Sequence, residues 1–238
     1  MEDQPQDKKQ SSIFYKNTSE KISLASRVSY LTRKKIYLKF IELMKPTETT
    51  TVLDVGVTCD NIHSESNFFE NFYTYKRQIT CVGVEDGSYL EKKYPGLRFV
   101  PVYTGQPLPF GNKQFDIVFS NATVEHTGST SDQTYFISEL VRVAKSFFIV
   151  TPNRWFPVEM HTTIPLIHYF PKSFYRFIYK HIDLNYWAHE KNLNLLDGKS
   201  FLRVFPSSAK IEFFGIYTSI FVSNLIAYGW NDRSVGDV

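Results

Sequence analysis

Thr51-Val52-Leu53-Asp54-Val55-Gly56 is a short β-branched run that closes on a glycine. A run this short, bounded by turn formers, reads as a strand buried on both faces. Working outward, the same signal recurs at Ile79 to Glu85, Leu97 to Tyr103, Phe115 to Ser120 and Ser146 to Val150. Helical spacing fills the gaps. Ser66 to Tyr73 reads as a helix with Ser66 or Asn67 as its cap. Asp132 to Ala144 reads as another, with Tyr135, Phe136, Leu140, Val141 and Val143 apolar. Upstream, Leu24, Val28, Leu31, Ile36, Phe40, Ile41 and Met44 recur at helical intervals until Pro46 stops the pattern. Strands alternating with helices imply a parallel sheet covered on both faces, with ligands at its carboxyl edge.

After Thr151 the alternation breaks. Residues 152–200 are rich in proline and aromatics and read as a helical cap or insertion, ending in a helix over Asp197 to Phe205. Lys210 to Tyr217 and Ser223 to Tyr228 are two strands too close together for a crossover helix. They must pair as an antiparallel hairpin. The expectation is an α/β fold with a seven-stranded, mostly parallel sheet, a C-terminal hairpin and the insertion after strand 5. It forms a single domain over 23–238 behind a disordered tail at 1–22.

Composition narrows the function. The chain has 238 residues and a net charge of +3. That is too little charge to argue for nucleic acid, which is disfavoured as a partner. Two cysteines, Cys59 and Cys81, form no CxxC pair, so neither a zinc site nor a disulfide framework is expected. Met1 to Ser12 lack the apolar run of a signal peptide, and no transmembrane stretch is expected. A cytoplasmic location follows as an expectation. Arg33-Lys34-Lys35 reads as a solvated helix face or, alternatively, an anionic-ligand patch.

Val52 to Gly56 resembles the first signature of class I S-adenosylmethionine-dependent methyltransferases, a Rossmann-like fold. Val82-Gly83-Val84-Glu85 continues the resemblance. So do Leu108-Pro109-Phe110 and the stretch Gln114 to His126, which is similar to the small-molecule branch of that family. The resemblance implies S-adenosylmethionine as cofactor. It also implies contacts from Gly56, Thr58, Glu85, Asp86, Thr104 and Asn121, and an Asp54 that anchors the cofactor's amino-acid end or its loop. A carboxylate at the end of the second strand can accept both hydroxyls of a ribose diol, which suits Glu85 independently. Two departures stand out. The loop after Gly56 lacks the further glycines of the family, and Thr104 stands where an aspartate is usual. The dinucleotide fingerprint G-x-G-x-x-G is also absent, which counts against a nicotinamide enzyme.

His126 lies near the end of the fourth strand, and His161 follows the fifth. Either could take a proton near neutral pH, so both are candidate catalytic bases. Asn153, Arg154, Trp155 and Glu159 bring amide, cation, aromatic and carboxylate chemistry to the same edge and are candidate acceptor-binding residues. The block Pro152 to His161 resembles a bacterial-type subset, some of it tied to surface glycan or lipid pathways. That implies a small-molecule, sugar or lipid-linked glycan acceptor. Glu159 and His161 could be two metal ligands, but no third or fourth partner shows at useful spacing, so no metal is expected. Residues 164–187 interleave Phe and Tyr with Lys and Arg. They read as a packed cap over the substrate, a peripheral contact with the inner membrane face, or a base-stacking surface. A methyltransferase-like scaffold without catalysis is the alternative reading of the whole chain.

Overall fold

The computed structural model describes residues 24–61 and 66–231. The expected tail at 1–22 lies outside the described residues. Seven strands form one sheet: β1 (Val52–Val55), β2 (Ile79–Gly83), β3 (Arg98–Pro101), β4 (Phe115–Asn121), β5 (Ala144–Pro152), β6 (Ala209–Thr218) and β7 (Phe221–Asn231). Their order is β3-β2-β1-β4-β5-β7-β6. The first five are parallel, and β7 joins β5 and β6 antiparallel. The expected seven-stranded sheet and terminal hairpin are therefore present.

Side chains alternate across the sheet as the period of two requires. Leu53, Val55, Val118, Phe147 and Ile149 face one core layer. Val52, Ile79, Ile117, Phe119, Phe148 and Val150 face the other. The first layer is covered by α4 (Thr130–Val143) and α6 (Gly198–Arg203). The second is covered by α1 (Leu24–Met44), α2 (Phe68–Phe72) and α3 (Tyr89–Lys93). Phe40 of α1 is fully buried and meets Phe69, Phe119 and Phe148 edge-on at 5.1–5.5 Å. Neither reading of the basic run on α1 fully describes it, because Lys35 donates to the Tyr217 carbonyl at 3.0 Å and Arg33 bonds Ser29.

Helix starts are set by local chemistry. Ser129 and Asp132 form a reciprocal capping box on α4. Asp197 and Ser200 do the same for α6. Asn67 precedes α2 as expected, but it does not cap the helix with its side chain. Its amide is committed to the loop after β1.

Residues 153–197 form the insertion, whose helix is α5 (Lys172–His181). It has its own small core of Tyr175, Tyr179, Trp187, Ala188, Leu193 and Leu195. Asn194 fastens it to the main domain. Its backbone N–H donates to the Glu125 carbonyl at 2.7 Å, and its Nδ2 donates to the Gly128 carbonyl at 2.9 Å. The insertion thus sits over the carboxyl edge of β4 and β5.

Candidate functional site

The strand order reverses between β1 and β4: from β1 the chain steps outward to β3 on one side, then returns through β4 to build the other. Open α/β sheets bind ligands at such a reversal, beyond the carboxyl ends of the strands. Here that edge carries two groups of residues, one around the β1–β2–β4 ends and one under the insertion.

Gly56 leaves β1 at φ +112°, a conformation that side-chain-bearing residues rarely adopt. A Cβ there would lie 2.0 Å from Thr123 Oγ1. The space above Gly56 is therefore filled by Thr123, whose hydroxyl donates to Val55 O or Asn121 O, each at 3.2 Å. The loop then crosses β2, where the Val57 carbonyl leaves no room for a Cβ on Gly83. Side chains do the pinning that extra glycines would not. Asn67 accepts from Thr58 N–H and donates to Thr58 O, both at 2.9 Å. Glu85 Oε2 accepts from Cys59 N–H at 3.0 Å.

The other expected residues at this end are placed as follows. Asp86 lies at the surface, where hydrogen bonds from the Ser88 side chain and then from Ser88 N–H hold its carboxyl below the usual range. Thr104 is exposed in the turn after β3. Asn121 ends β4 with Oδ1 buried and without a hydrogen-bond partner. Asp54 lies within β1, two residues before Gly56. It is 6% exposed and faces Glu70 of α2, and burial, followed by the Glu70 charge, pushes its carboxyl well up. Asp54, expected to anchor the cofactor's amino-acid end or its loop, thus forms a buried carboxyl pair with Glu70.

The second group gathers under the insertion. Glu125 and His126 come from a 3₁₀ turn, Val124–His126. Glu159 and His161 come from the segment after β5. His161 Nε2 lies 3.1 Å from His126 Nε2. His126 Nδ1 donates to the Asn192 carbonyl at 2.7 Å. His161 Nδ1 donates to Glu159 Oε1 at 2.5 Å. Trp187 lies beside both rings at 5.0 and 6.1 Å. Glu125 is fully buried. Its Oε2 accepts from Thr151 Oγ1 at 3.1 Å, while Oε1 has no hydrogen-bond partner.

Electrostatics separates these groups. Burial raises Glu125 to about 7. Burial and then the His161 charge hold His126 down at about 3. Burial opposes ionisation of the Glu159–His161 pair, yet their mutual attraction wins. Glu159 falls to about 2, and His161 rises. With Nδ1 a donor on both rings, a proton shared between the Nε2 atoms makes one ring a cation. The shifts make that ring His161.

Several residues expected to bind an acceptor are otherwise engaged. Asn153 donates to Val222 O at 2.9 Å and accepts from Trp155 N–H at 3.1 Å, so it ties the insertion to β7. Glu159 is 3% exposed and also accepts from Thr162 N–H at 2.7 Å. It holds His161 through the hydrogen bond to Nδ1. Arg154 lies over the Trp155 ring at 5.0 Å; Trp155 is 44% exposed, whereas Arg154 is half-buried with Nε inaccessible. Sequence reasoning gives Glu125 no role and misses Trp187 and Asn192. Glu159, half of the ligand pair weighed from the sequence, is not in the group that converges, which is Glu125, His126 and His161. Two open clefts of about 340 and 330 Å³ lie at the amino edge near Glu48 and beside α1, away from these residues.

A family model described as a methyltransferase domain matches residues 66–147, 82 of the 238. No curated protein matches the chain. Among solved structures, a protein from Pyrococcus horikoshii OT3 is similar at a TM-score of 0.55 and 13% identity, covering 92% of this chain and 95% of that one. A geranyl diphosphate C-methyltransferase from Streptomyces coelicolor A3(2) is similar at 0.54 and 11%, covering 90% and 84%. A SAM-dependent methyltransferase from Methanosarcina mazei is similar at 0.51 and 15%, covering 80% and 96%. The fold is the seven-stranded Rossmann-like fold of such methyltransferases.

Proposed function

We propose that this chain is an S-adenosylmethionine-dependent methyltransferase acting on a small molecule, sugar or lipid-linked glycan. The observation that carries the reading is the grouping of Gly56, Glu85 and Asn121 at one reversal of the sheet, beside the insertion-covered Glu125–His126–His161 cluster. The residues fit the cofactor. Asn121 Oδ1 is a buried acceptor without a partner, and Glu85 commits only Oε2 to the loop among the described residues. S-adenosylmethionine, when bound, supplies an electrophilic methyl group. Glu85 holds the ribose diol. Asn121 and the Gly56–Thr58 backbone line the amino-acid end, with Asp54 supporting them from below. Asp86 and Thr104 flank the adenine.

The chain's own contribution is alignment. Well-oriented intramolecular reactions gain roughly 7–11 kcal/mol. The insertion excludes water, and His126 and His161 are the catalytic side chains that meet the acceptor atom. Arg154 and Trp155 bind the acceptor farther out. Phe170, Phe174 and Phe177 are 52%, 47% and 63% exposed beside Arg176 and Lys180, which suits a peripheral membrane contact where a lipid-linked acceptor is met. A cytoplasmic enzyme working at the inner membrane face is consistent with this surface. Among the described residues no helix is long and apolar enough to cross a membrane.

Thr123 favours a second reading. Its side chain fills the space above Gly56, so a scaffold that no longer binds cofactor would look the same at this point. Calorimetric titration with S-adenosylmethionine and S-adenosylhomocysteine decides between them. Saturable binding of both, weakened more than about tenfold by Glu85→Ala, is expected; that is about 1.4 kcal/mol. A folded protein that binds neither, with or without candidate acceptors, is the scaffold.

A further inference from the structure

Glu125, His126 and His161 bring one carboxylate oxygen and two imidazole nitrogens within 4.8 Å of one another. We infer that these three side chains form a site for a divalent transition metal, with two imidazoles and one carboxylate on one face and the remaining coordination positions open to a ligand. Such a donor set suits zinc, iron(II) or manganese far better than calcium, which prefers all-oxygen ligands.

The hydrogen bonds on the far side of each ring point the same way. Nδ1 of His126 donates to a backbone carbonyl, and Nδ1 of His161 donates to a carboxylate. Those bonds fix the tautomers, so in the neutral rings both Nε2 lone pairs point into the same space. In the metal-free chain a shared proton lies between them, and a metal that takes the place of that proton is bound by both lone pairs at once. Metal-bound histidines are held in this way by carbonyls and carboxylates behind them.

The spacing also fits. Ligand atoms on a tetrahedral metal with bonds of about 2.0–2.1 Å lie roughly 3.3 Å apart. The two Nε2 atoms are 3.1 Å apart. Glu125 Oε1 is 3.9 Å from His126 Nε2, and the three ligand atoms lie within 4.8 Å of one another, so the carboxylate has to move toward the rings to close the set.

Glu125 adds an observation independent of the histidines. It is fully buried with Oε1 unpartnered. An orphan carboxylate oxygen in such a place is costly unless something else satisfies it. Thr151 holds Oε2, so the orphan atom is the one left facing the rings. His126 keeps 27% of its side chain accessible, which gives a route in, and Trp187 walls the other side.

The site stands whether or not the methyltransferase reading does. Only the identity of its outer ligand, an oxygen-bearing acceptor, rests on that reading. With metal bound, the Nε2 atoms are committed to it, and the histidine pair activates the acceptor through the cation instead of as a free base.

Untagged, chelator-stripped protein titrated with Co²⁺ tests the inference. The expected result is visible absorption of nitrogen-and-oxygen-bound Co²⁺ that saturates near one ion per chain and is abolished by Zn²⁺. Glu125→Gln and His161→Gln should each weaken Co²⁺ by at least about tenfold, and the positioning change Glu159→Gln by roughly 10–100-fold. Absence of the absorption in the folded wild-type chain, or bands unmoved by both Glu125→Gln and His161→Gln, overturns the site. Metal binding without S-adenosylmethionine binding would leave the site standing and remove the methyltransferase reading; the reverse result would do the opposite.

Discussion

Gly56 shows how one missing carbon sets the loop. Two separate constraints meet there, a positive φ and the Thr123 side chain lying where a Cβ would go. Gly56→Ala should therefore destabilise the fold by about 1–3 kcal/mol from backbone strain, with the clash on top. Adding Thr123→Gly should recover only the clash. Urea unfolding of the single and double variants separates the two, and a full rescue would show that the backbone conformation itself was not under strain. The glycine is legible in the sequence, but its reason is not. Thr123 is far from Gly56 along the chain and meets it only because β1 and β4 are neighbours. The same holds for the histidine cluster. Glu125 and His126 are adjacent and easy to see, yet their meeting with His161, 35 residues beyond His126, depends on how the insertion folds.

Elements are more legible than contacts. The strands and long helices announce themselves by period, and the observed bounds differ from the expected ones by a few residues, the usual fraying of ends. The short helix α3 carries no such distinct signal; α5 has a helical period, but that period does not say which of its aromatics are buried. In α5 the aromatic and basic residues interleave so densely that Tyr175 and Tyr179, its two buried residues, do not stand out. The insertion is held by few polar contacts, so they matter individually. Asn194 is 1% exposed, donates to Gly128 and accepts from Lys172. Asn194→Ala leaves a buried carbonyl and an ammonium without that partner and should cost about 1–3 kcal/mol. Hydrogen exchange should show the added opening in residues 185–197 and the Val124–His126 turn, with the β1–β2 strands unchanged. Uniform loss of protection across the sheet would mean that the insertion and the domain unfold as one unit. By contrast, Asp197→Ala removes only the α6 cap and should cost about 1 kcal/mol without loosening the histidine cluster.

At the scale of the molecule, the parallel strands and the terminal hairpin can be read from alternation and spacing, but the order β3-β2-β1-β4-β5-β7-β6 cannot, because other doubly wound orders share the same alternation. Nor can a buried acid pair. Asp54 sits mid-strand and Glu70 on a helix across the core, and nothing in their spacing says that they meet. Neither oxygen of Glu70 has a hydrogen-bond partner, and burial is the largest cause raising both carboxyls, Glu70 to about 6. Their folded affinities for protons exceed those in the unfolded chain, so the native state binds more protons across this window. Stability must then fall as pH rises from the ordinary carboxylate range through about 6, and further as Asp54 ionises. Above both folded values the loss levels off. For Glu70 alone the loss is on the order of 2 kcal/mol, since a tenfold difference in proton affinity is worth about 1.4 kcal/mol. Asp54→Asn keeps the shape of the strand but leaves one acid where there were two. It should be more stable than wild type at about pH 8, nearly equal at about pH 4.5, and visibly flatter between them. Denaturant midpoints of both proteins across that range measure the difference. A pair of parallel curves would mean that the two carboxyls do not share a site, and that the loop beneath Gly56 rests on something other than this pair.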